Sequence, residues 1–159
     1  GGSIAAYLGV LGSSLSAMVA NLSSHKAGWD DQWQHFSGMA EEGMAIQRDL
    51  LAMVDEDTNA FNLVMQAFGM PKSTDEEKQA RNRAIQNATR YAAEVPLKVM
   101  RRVCDGFGLI RAMAENGLPS SVSDAGVAAI CARSAVMSAF LNVKINAGDL
   151  DRWISCMNT

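Results

Sequence analysis

Histidine and cysteine are scarce in this chain of 159 residues, which has two histidines and three cysteines. The cysteines, Cys104, Cys131 and Cys156, are far apart, and no CxxC motif occurs. This pattern predicts reduced thiols of a cytoplasmic protein and argues against a disulfide framework or a zinc knuckle. With only His25 and His35 as imidazole donors, we expect no metal site.

Basic residues are not in excess either. The chain has 14 Lys and Arg against 17 Asp and Glu, which gives a net charge of −3 at pH 7. That balance offers no electrostatic attraction for nucleic acid, so we expect no nucleic-acid partner. The hydrophobic fraction of 48% is too high for a disordered chain, and the length suits one domain with a real core.

Charge is absent from residues 1–24. A signal peptide would have a basic start, and this segment has none. It is long enough to span a membrane, but seven serines and asparagines interrupt it and its apolar residues are mostly alanine and glycine. We therefore expect a buried central helix and no membrane partner.

Convincing period-two alternation is absent, and four helices are predicted over about residues 3–21, 31–68, 75–115 and 121–146. Small residues at spacings of three and four on the first helix predict close packing against its neighbours. We expect Asp30 or Asp31 to cap the second helix, which can break near Gly38 or Gly43. The result is an all-α bundle of long, partly kinked helices.

The third and fourth helices carry clear local signals. Overlapping capping-box patterns at residues 73–77 predict where the third helix starts, and Pro96 predicts a kink or break just before it. Ser121 or Ser123 is expected to cap the fourth helix. Because Arg133 is the only charged residue from 125 to 143, we expect this helix to be buried nearly all round. A further short helix is predicted over residues 149–159.

An acidic residue interrupts the apolar row of the second helix. Leu50, Val54, Phe61, Val64 and Phe68 have the spacing of a bundle-facing row, and its missing member is Asp57. Burying a carboxylate costs several kcal/mol unless it is paired or hydrogen-bonded. We therefore interpret Asp57 either as a general acid or base, or as a structural carboxylate bonded to a serine, an asparagine or a helix N-terminus.

Other polar residues add weaker signals. Asn142 and Asn146 share one face of the fourth helix, where they either satisfy a neighbour or contact a ligand. Asp124 opens that helix and is explained by capping or by ligand binding. Gly1, Gly2 and the following serine precede a helix and can present backbone N–H groups to an anion. These residues alone predict a dimeric helical bundle with a buried acidic site, or else a non-enzymatic helical interaction module.

Read together, several blocks resemble the formiminotetrahydrofolate cyclodeaminase and methenyltetrahydrofolate cyclohydrolase family. The opening, residues 1–6 with 17–22, resembles the family pattern PGGGS-x-A-A followed by MVANLT. Further blocks follow in the order and spacing of the family, at residues 54–62, 70–78, 94–97, 122–128 and 141–146. Any one of these blocks is weak, but together they cover almost the whole chain.

The resemblance implies an all-helical homodimer and a folate substrate without a separate cofactor. Members have a short helix before the glycine run and a longer final helix, so we expect a single domain over residues 1–159 that lacks short segments at both ends. In some members the unit follows a formiminotransferase part, which is therefore a possible partner in the same or another chain. The implied role is conversion of 5-formiminotetrahydrofolate to 5,10-methenyltetrahydrofolate and ammonia, a step of histidine degradation.

The resemblance also implies site residues. The acidic residue of the family's D-x-D block corresponds to Asp55 or Asp57, and the apolar row favours Asp57 as the catalytic one. Candidate substrate contacts are Gly1, Gly2, Ser3, Asp55, Asp124, Asn142 and Asn146, and the candidates for the glutamate tail are Lys26, Lys72 and Lys144. The alternative reaction is hydrolysis of methenyltetrahydrofolate to the 10-formyl compound.

Overall fold

Five α-helices form the part of the chain that the computed structural model describes, residues 1–148 and 150. They are α1 Gly2–Ser24, α2 Trp33–Phe68, α3 Asp75–Asp105, α4 Phe107–Asn116 and α5 Val122–Gly148, with a short 3-10 turn at Pro119–Ser121 before α5. No strand occurs in these residues, which confirms the all-α prediction. The helix predicted over residues 149–159 lies, apart from Leu150, outside the described residues, as does Cys156.

The central helix is α1, which packs against α2 and α5 through its small residues. A Cβ added at Gly12 would lie 3.0 Å from the carbonyl oxygen of Ala128, so the backbones of α1 and α5 are nearly in contact. The buried serines of α1 donate to carbonyls of their own helix, as in the 3.0 Å bond from Ser16 Oγ to Gly12 O. This internal bonding allows a serine-rich helix to be buried, as the small-residue spacing predicted.

Two apolar clusters fill the bundle, one towards each end of α1. The first joins all five helices and the second leaves out α3. Their members are Ala5, Ala6, Val10, Ile46, Leu50, Val99, Val103, Ile110, Ala128, Ala132, Ala135 and Ala139 in the first, and Val19, Ala20, Phe36, Ala40, Leu109, Met113 and Ala125 in the second. Alanine dominates on α5, so the other helices approach its backbone closely.

Two helical stretches, Gly2–Ser24 and Pro119–Gly148, are long and apolar enough to cross a membrane by length and composition alone. The core helix of a globular protein passes the same test. More than half of the apolar stretch of α1 is buried inside the bundle. That burial agrees with the expectation of a central helix.

The start of α2 differs from the prediction, whereas the start of α3 agrees with it. Helix α2 begins after Gln32, with no side-chain cap from Asp30 or Asp31, and it is unbroken at Gly38 and Gly43. Helix α3 begins with a capping box between Thr74 and Glu77. The Thr74 Oγ1 accepts the Glu77 N–H at 3.2 Å, and Glu77 Oε2 accepts the Thr74 N–H at 3.1 Å.

Of the kink or break predicted just before Pro96, the break is wrong, because α3 continues through this residue to Asp105. Proline has no N–H, so the carbonyl of Ala92 one turn earlier loses its helical partner. That carbonyl accepts a hydrogen bond of 2.7 Å from Asn146 Nδ2 of α5 instead. The helix breaks at Gly106, so α4 is a separate element.

The expectation that α5 is buried nearly all round is also wrong within this chain. Its buried face is a row of alanines, whereas the opposite face exposes large apolar side chains such as Ile130, 66% exposed, and Ile145, 68% exposed. Helix α1 exposes a similar row. These rows are Ile4, Tyr7, Leu11, Met18 and Leu22 on α1, and Val127, Ile130, Met137, Leu141 and Ile145 on α5.

Candidate active site

A cavity of about 740 Å³ opens where the start of α1 meets α2, α3 and the end of α5. Its volume lies within the range of about 300–1,000 Å³ usual for small-molecule sites. It brings together six of the predicted site residues. The lining residues are Gly1, Gly2, Ser3, Asp57, Thr58, Phe61, Val64, Phe68, Ile85, Thr89, Ala92, Asn142 and Asn146.

Asp57 is half-buried and is held by the first turn of α1. Its Oδ2 accepts the backbone N–H of Ser3 at 2.7 Å and the Ser3 hydroxyl at 2.8 Å. A helix N-terminus carries free N–H groups and partial positive charge, so a carboxylate is favoured there. These are the contacts of the structural alternative, a carboxylate bonded to a serine at a helix N-terminus. They leave Oδ1 without a hydrogen-bond donor among the described residues.

The two glycines allow this close approach. A Cβ at Gly2 would overlap Asp57 Oδ1, so only glycine fits there without moving the carboxylate. A Cβ at Gly1 would lie 2.8 Å from Asn142 Oδ1. The start of α1 therefore lies directly between the acidic residue of α2 and an asparagine of α5.

Both asparagines are anchored by backbone carbonyls. Asn142 Nδ2 donates to Ser138 O at 2.8 Å, and Asn146 Nδ2 donates to Ala92 O at 2.7 Å. Each amide therefore donates a hydrogen bond to a neighbouring carbonyl, which is one of the two interpretations given above. Each also lines the cavity.

Asp57 is the only charged side chain among the described residues that line the cavity. Aromatic and aliphatic side chains form the rest of the wall, including Phe61, Val64 and Ile85. A single carboxylate in partly apolar surroundings attracts a cation more strongly than it would in bulk water. The cavity therefore suits a partly apolar molecule with positive charge near Asp57.

Five predicted site residues do not line this cavity. Lys26 follows the far end of α1, a helix of 23 residues and so about 34 Å long, where its ammonium lies 5.1 Å from the centre of the Trp29 ring. Asp124 is in the first turn of α5, about 27 Å along the helix from Asn142. The remaining three, Asp55, Lys72 and Lys144, are exposed.

Several lining residues were not predicted as site residues. Phe61, Val64 and Phe68 were assigned to a bundle-facing row, but Phe61 is 61% exposed and all three line the cavity. Their spacing from Asp57 was the available signal, because residues at i+4, i+7 and i+11 share its helix face. Thr58 and Thr89 carried no comparable signal.

The neighbouring residue, Glu56, points to α3 and forms a separate polar network. Its Oε1 accepts hydrogen bonds from Lys98 Nζ at 2.6 Å and from Tyr91 Oη at 2.9 Å. The hydrogen bond from Lys98, assisted by that from Tyr91, lowers the pKa of Glu56 despite its partial burial. The bonds to Glu56 raise the pKa of both Lys98 and Tyr91. This network joins α2 to α3 beside the cavity.

Comparison with known proteins identifies the family. The family model described as formiminotransferase-cyclodeaminase matches residues 1–152. The chain belongs to this family. It is 40% identical to a methenyltetrahydrofolate cyclohydrolase of Methylorubrum extorquens over 151 residues, which are 95% of this chain and 73% of that protein.

Other members of the family are longer or more distant. The formimidoyltransferase-cyclodeaminase of Rattus norvegicus is 33% identical over 94% of this chain, which spans only 28% of that protein. The crystal structure of formiminotetrahydrofolate cyclodeaminase from Thermotoga maritima superimposes with a TM-score of 0.81 at 26% identity, covering 98% of this chain and 75% of that one. The resemblance predicted from the residues is confirmed, and the chain is a member of a folate one-carbon enzyme family.

Proposed function

We propose that this chain converts 5-formiminotetrahydrofolate to 5,10-methenyltetrahydrofolate and ammonia in the cavity at the start of α1. The observation that carries the proposal is the single carboxylate of Asp57, set in a wall whose other described side chains are uncharged. Both the protonated formimino group and the methenyl bridge are cations. A fixed negative charge beside them stabilises the charge that the reaction carries.

The reaction needs one proton transfer between two nitrogens. N10 of the folate attacks the formimino carbon on N5 and forms a tetrahedral carbon that bears both nitrogens and the amino group. N10 then loses its proton, the amino nitrogen gains one, and the bond from carbon to that nitrogen breaks to release ammonia. The electron pair of N5 completes the methenyl cation.

Asp57 is the proposed carrier of that proton. Its Oδ2 is held by the two donors of Ser3, whereas Oδ1 is left to receive the proton from N10 and return it to the leaving nitrogen. General acid–base catalysis by a positioned group contributes typically about 10²–10⁴-fold to a rate. The apolar wall that includes Phe61 and Ile85 suits the flat pterin ring.

Hydrolysis of methenyltetrahydrofolate to 10-formyltetrahydrofolate is the second candidate. The relative from Methylorubrum extorquens, at 40% identity, carries the cyclohydrolase name. In that reaction water attacks the methenyl carbon, and Asp57 takes its first proton and returns it to N5 as the bond from carbon to N5 breaks. The second proton of the water leaves the hydroxyl for the solvent as the formyl carbonyl forms. The same cavity and the same carboxylate serve both reactions.

We also propose the wider setting that the resemblance implies. The exposed apolar rows of α1 and α5 support a homodimer, because adjacent helices with unpaired apolar faces favour a second copy. Lys72 follows α2 beyond Phe68, which lines the cavity, so it is the proposed contact of the glutamate tail. Lys144 is two residues from each cavity asparagine and therefore lies on the opposite side of α5, so it is not proposed as a contact within one copy. The proposal includes a cytoplasmic location, a folate substrate with no cofactor, and action alongside a formiminotransferase part in the same or another chain.

The test is to follow the absorbance band of the methenyl compound with each folate separately. With 5-formiminotetrahydrofolate, the proposal expects the band to rise while ammonia is released in equal amount. Accelerated loss of the band with methenyltetrahydrofolate alone would establish the cyclohydrolase instead. No change with either folate would overturn both candidates and favour a non-enzymatic helical module.

A further inference from the structure

Pro96 leaves a backbone carbonyl beside the cavity without its helical hydrogen-bond donor. It is fully buried inside α3, and its ring nitrogen cannot donate to the carbonyl of Ala92. Asn146 supplies the missing donor from another helix at 2.7 Å. The contact joins residues 54 positions apart in the chain, and it lies on the wall of the cavity, which both Ala92 and Asn146 line.

The contact determines which way the Asn146 amide points. A carbonyl oxygen can only accept, so it selects the NH₂ group of the amide. The Oδ1 of Asn146 then accepts no hydrogen bond from the residues 1–148 and 150. Asn142 is oriented in the same sense, because its Nδ2 donates to Ser138 O. The end of α5 thus offers amide oxygens, which are hydrogen-bond acceptors, to a ligand.

We propose that Pro96 is a positioning residue, which frees the Ala92 carbonyl to hold Asn146 with Oδ1 as an acceptor for an N–H group of the folate. This inference rests on the proposed function for the identity of the ligand. It adds that Asn146 favours a ligand with a hydrogen-bond donor at this position. It also adds that Pro96, without contacting the ligand, determines this preference. A wall that offers the acceptor oxygens of Asn146 and Asp57 is complementary to a folate that carries N–H groups.

The first test is a cycle of thermal unfolding with Asn146→Ala, Pro96→Ala and the double variant. With Pro96 present, Asn146→Ala leaves a carbonyl unpaired, and we expect a loss of about 5 °C in Tm. In the Pro96→Ala background, the new backbone N–H at position 96 donates to the Ala92 carbonyl. Asn146→Ala should then lower Tm by less than about 2 °C. Equal losses of Tm in both backgrounds would show that the hydrogen bond from Asn146 to the Ala92 carbonyl does not stabilise the protein, and would overturn the inference. Folding of Asn146→Ala only in the Pro96→Ala background would support it.

A second variant tests the amide orientation independently. Asn146→Asp replaces the donor with a carboxyl, which can donate to Ala92 O only when protonated. We expect the Tm deficit of this variant, relative to the native protein, to be small near pH 4 and to grow towards pH 7. A deficit that does not change with pH would contradict the proposed orientation. This test stands even if Asn146→Ala does not fold.

The ligand half of the inference is tested by KM. The double variant regains stability but lacks the acceptor, so we expect its KM to remain raised about tenfold. Pro96→Ala alone, which releases the amide, should raise KM a few-fold. If the double variant recovered native KM, Asn146 would be merely structural and the inference would be overturned.

Failure of the proposed function is distinguishable from failure of this inference. If the native protein turns over neither folate, binding of 5-formyltetrahydrofolate is measured by calorimetry for the same variants. Native binding that the double variant loses would support the inference without the reaction. Absence of native binding would overturn the folate assignment and the ligand half together, while the melting cycle still decides the contact of Pro96 with Asn146.

Discussion

Ser3 and Asp57 are 54 residues apart in the chain and meet through two hydrogen bonds to one carboxylate oxygen. The backbone N–H of Ser3 donates at 2.7 Å and its hydroxyl at 2.8 Å. The first turn of α1 thus binds the carboxylate of α2, while Oδ1 keeps its acceptor capacity for a ligand. One residue therefore closes a helix end and provides the acidic group of the cavity.

Substitution of Gly2 should reduce activity more than stability. In Gly2→Ala the new methyl group overlaps Asp57 Oδ1, and the carboxylate, as the end of a side chain, can rotate away. We expect turnover to fall at least tenfold while Tm changes by only a few degrees. Steady-state rates and thermal melts of the purified variant check this.

A matched control for that substitution is Gly38→Ala. Gly38 lies within α2, and nothing is within 4 Å of its added Cβ. Replacing an exposed helical glycine with alanine should stabilise the protein by about 0.5–1 kcal/mol. We expect native turnover from this control. Equal losses of turnover in the two variants would contradict a specific role for Gly2.

The exposed row of α5 should control the oligomeric state. Ile130 is 66% exposed in the single chain, and a charge there would be buried against a second copy. We expect Ile130→Arg to be monomeric where the native protein is dimeric, as measured by analytical ultracentrifugation. Leu51→Arg, at an exposed position of α2, serves as the control and should remain dimeric. A native monomer would contradict the proposed homodimer.

The Glu56 network should stabilise the fold only within a pH window. Because the Lys98 hydrogen bond lowers the pKa of Glu56, its contribution is present above the ordinary carboxyl range and is lost as pH falls below about 4. Because the pKa of Lys98 and of Tyr91 is raised, their contribution is present below about pH 10 and is lost as pH rises further.

The measurement for this network is the Tm of Glu56→Gln against pH. Glu56 is 26% exposed and Lys98 48% exposed as side chains, so solvent screening limits the stabilisation at neutral pH to about 0.2–1 kcal/mol. We expect a small deficit that is constant between about pH 5 and 9 and shrinks outside that range. A deficit that persists at pH 3 would show that the ion pair is not its source.

Local signals predicted much of the fold. The all-α class, the small face of α1 and the capping box at Thr74 follow from spacing and from short-range hydrogen bonding. The hydrogen bond that satisfies the carbonyl freed by Pro96 within α3 could not be predicted in this way. It depends on Asn146, which is distant in the chain and reaches Ala92 only after α5 has packed against α3.

The candidate site was also predictable only in part, because local spacing marks single residues and not the contacts between distant ones. An acidic residue within an apolar row pointed to Asp57, and the glycine run pointed to the start of α1. Their direct contact could not be read from the residues, because no local rule links Gly2 to a side chain of α2. The outward face of α5 was predicted as buried because composition reports how apolar a face is and not which molecule covers it.

The most direct test of the account is the turnover of Asp57→Asn beside Asp55→Asn, with whichever folate the native protein converts. The substituted amide at position 57 can still accept from Ser3, so both variants should fold with Tm within a few degrees of native. We expect Asp57→Asn to lose about 10²–10⁴-fold in kcat and the exposed Asp55→Asn to keep native turnover. Native turnover in Asp57→Asn would mean that Asp57 serves only to cap α1, and would contradict the central claim.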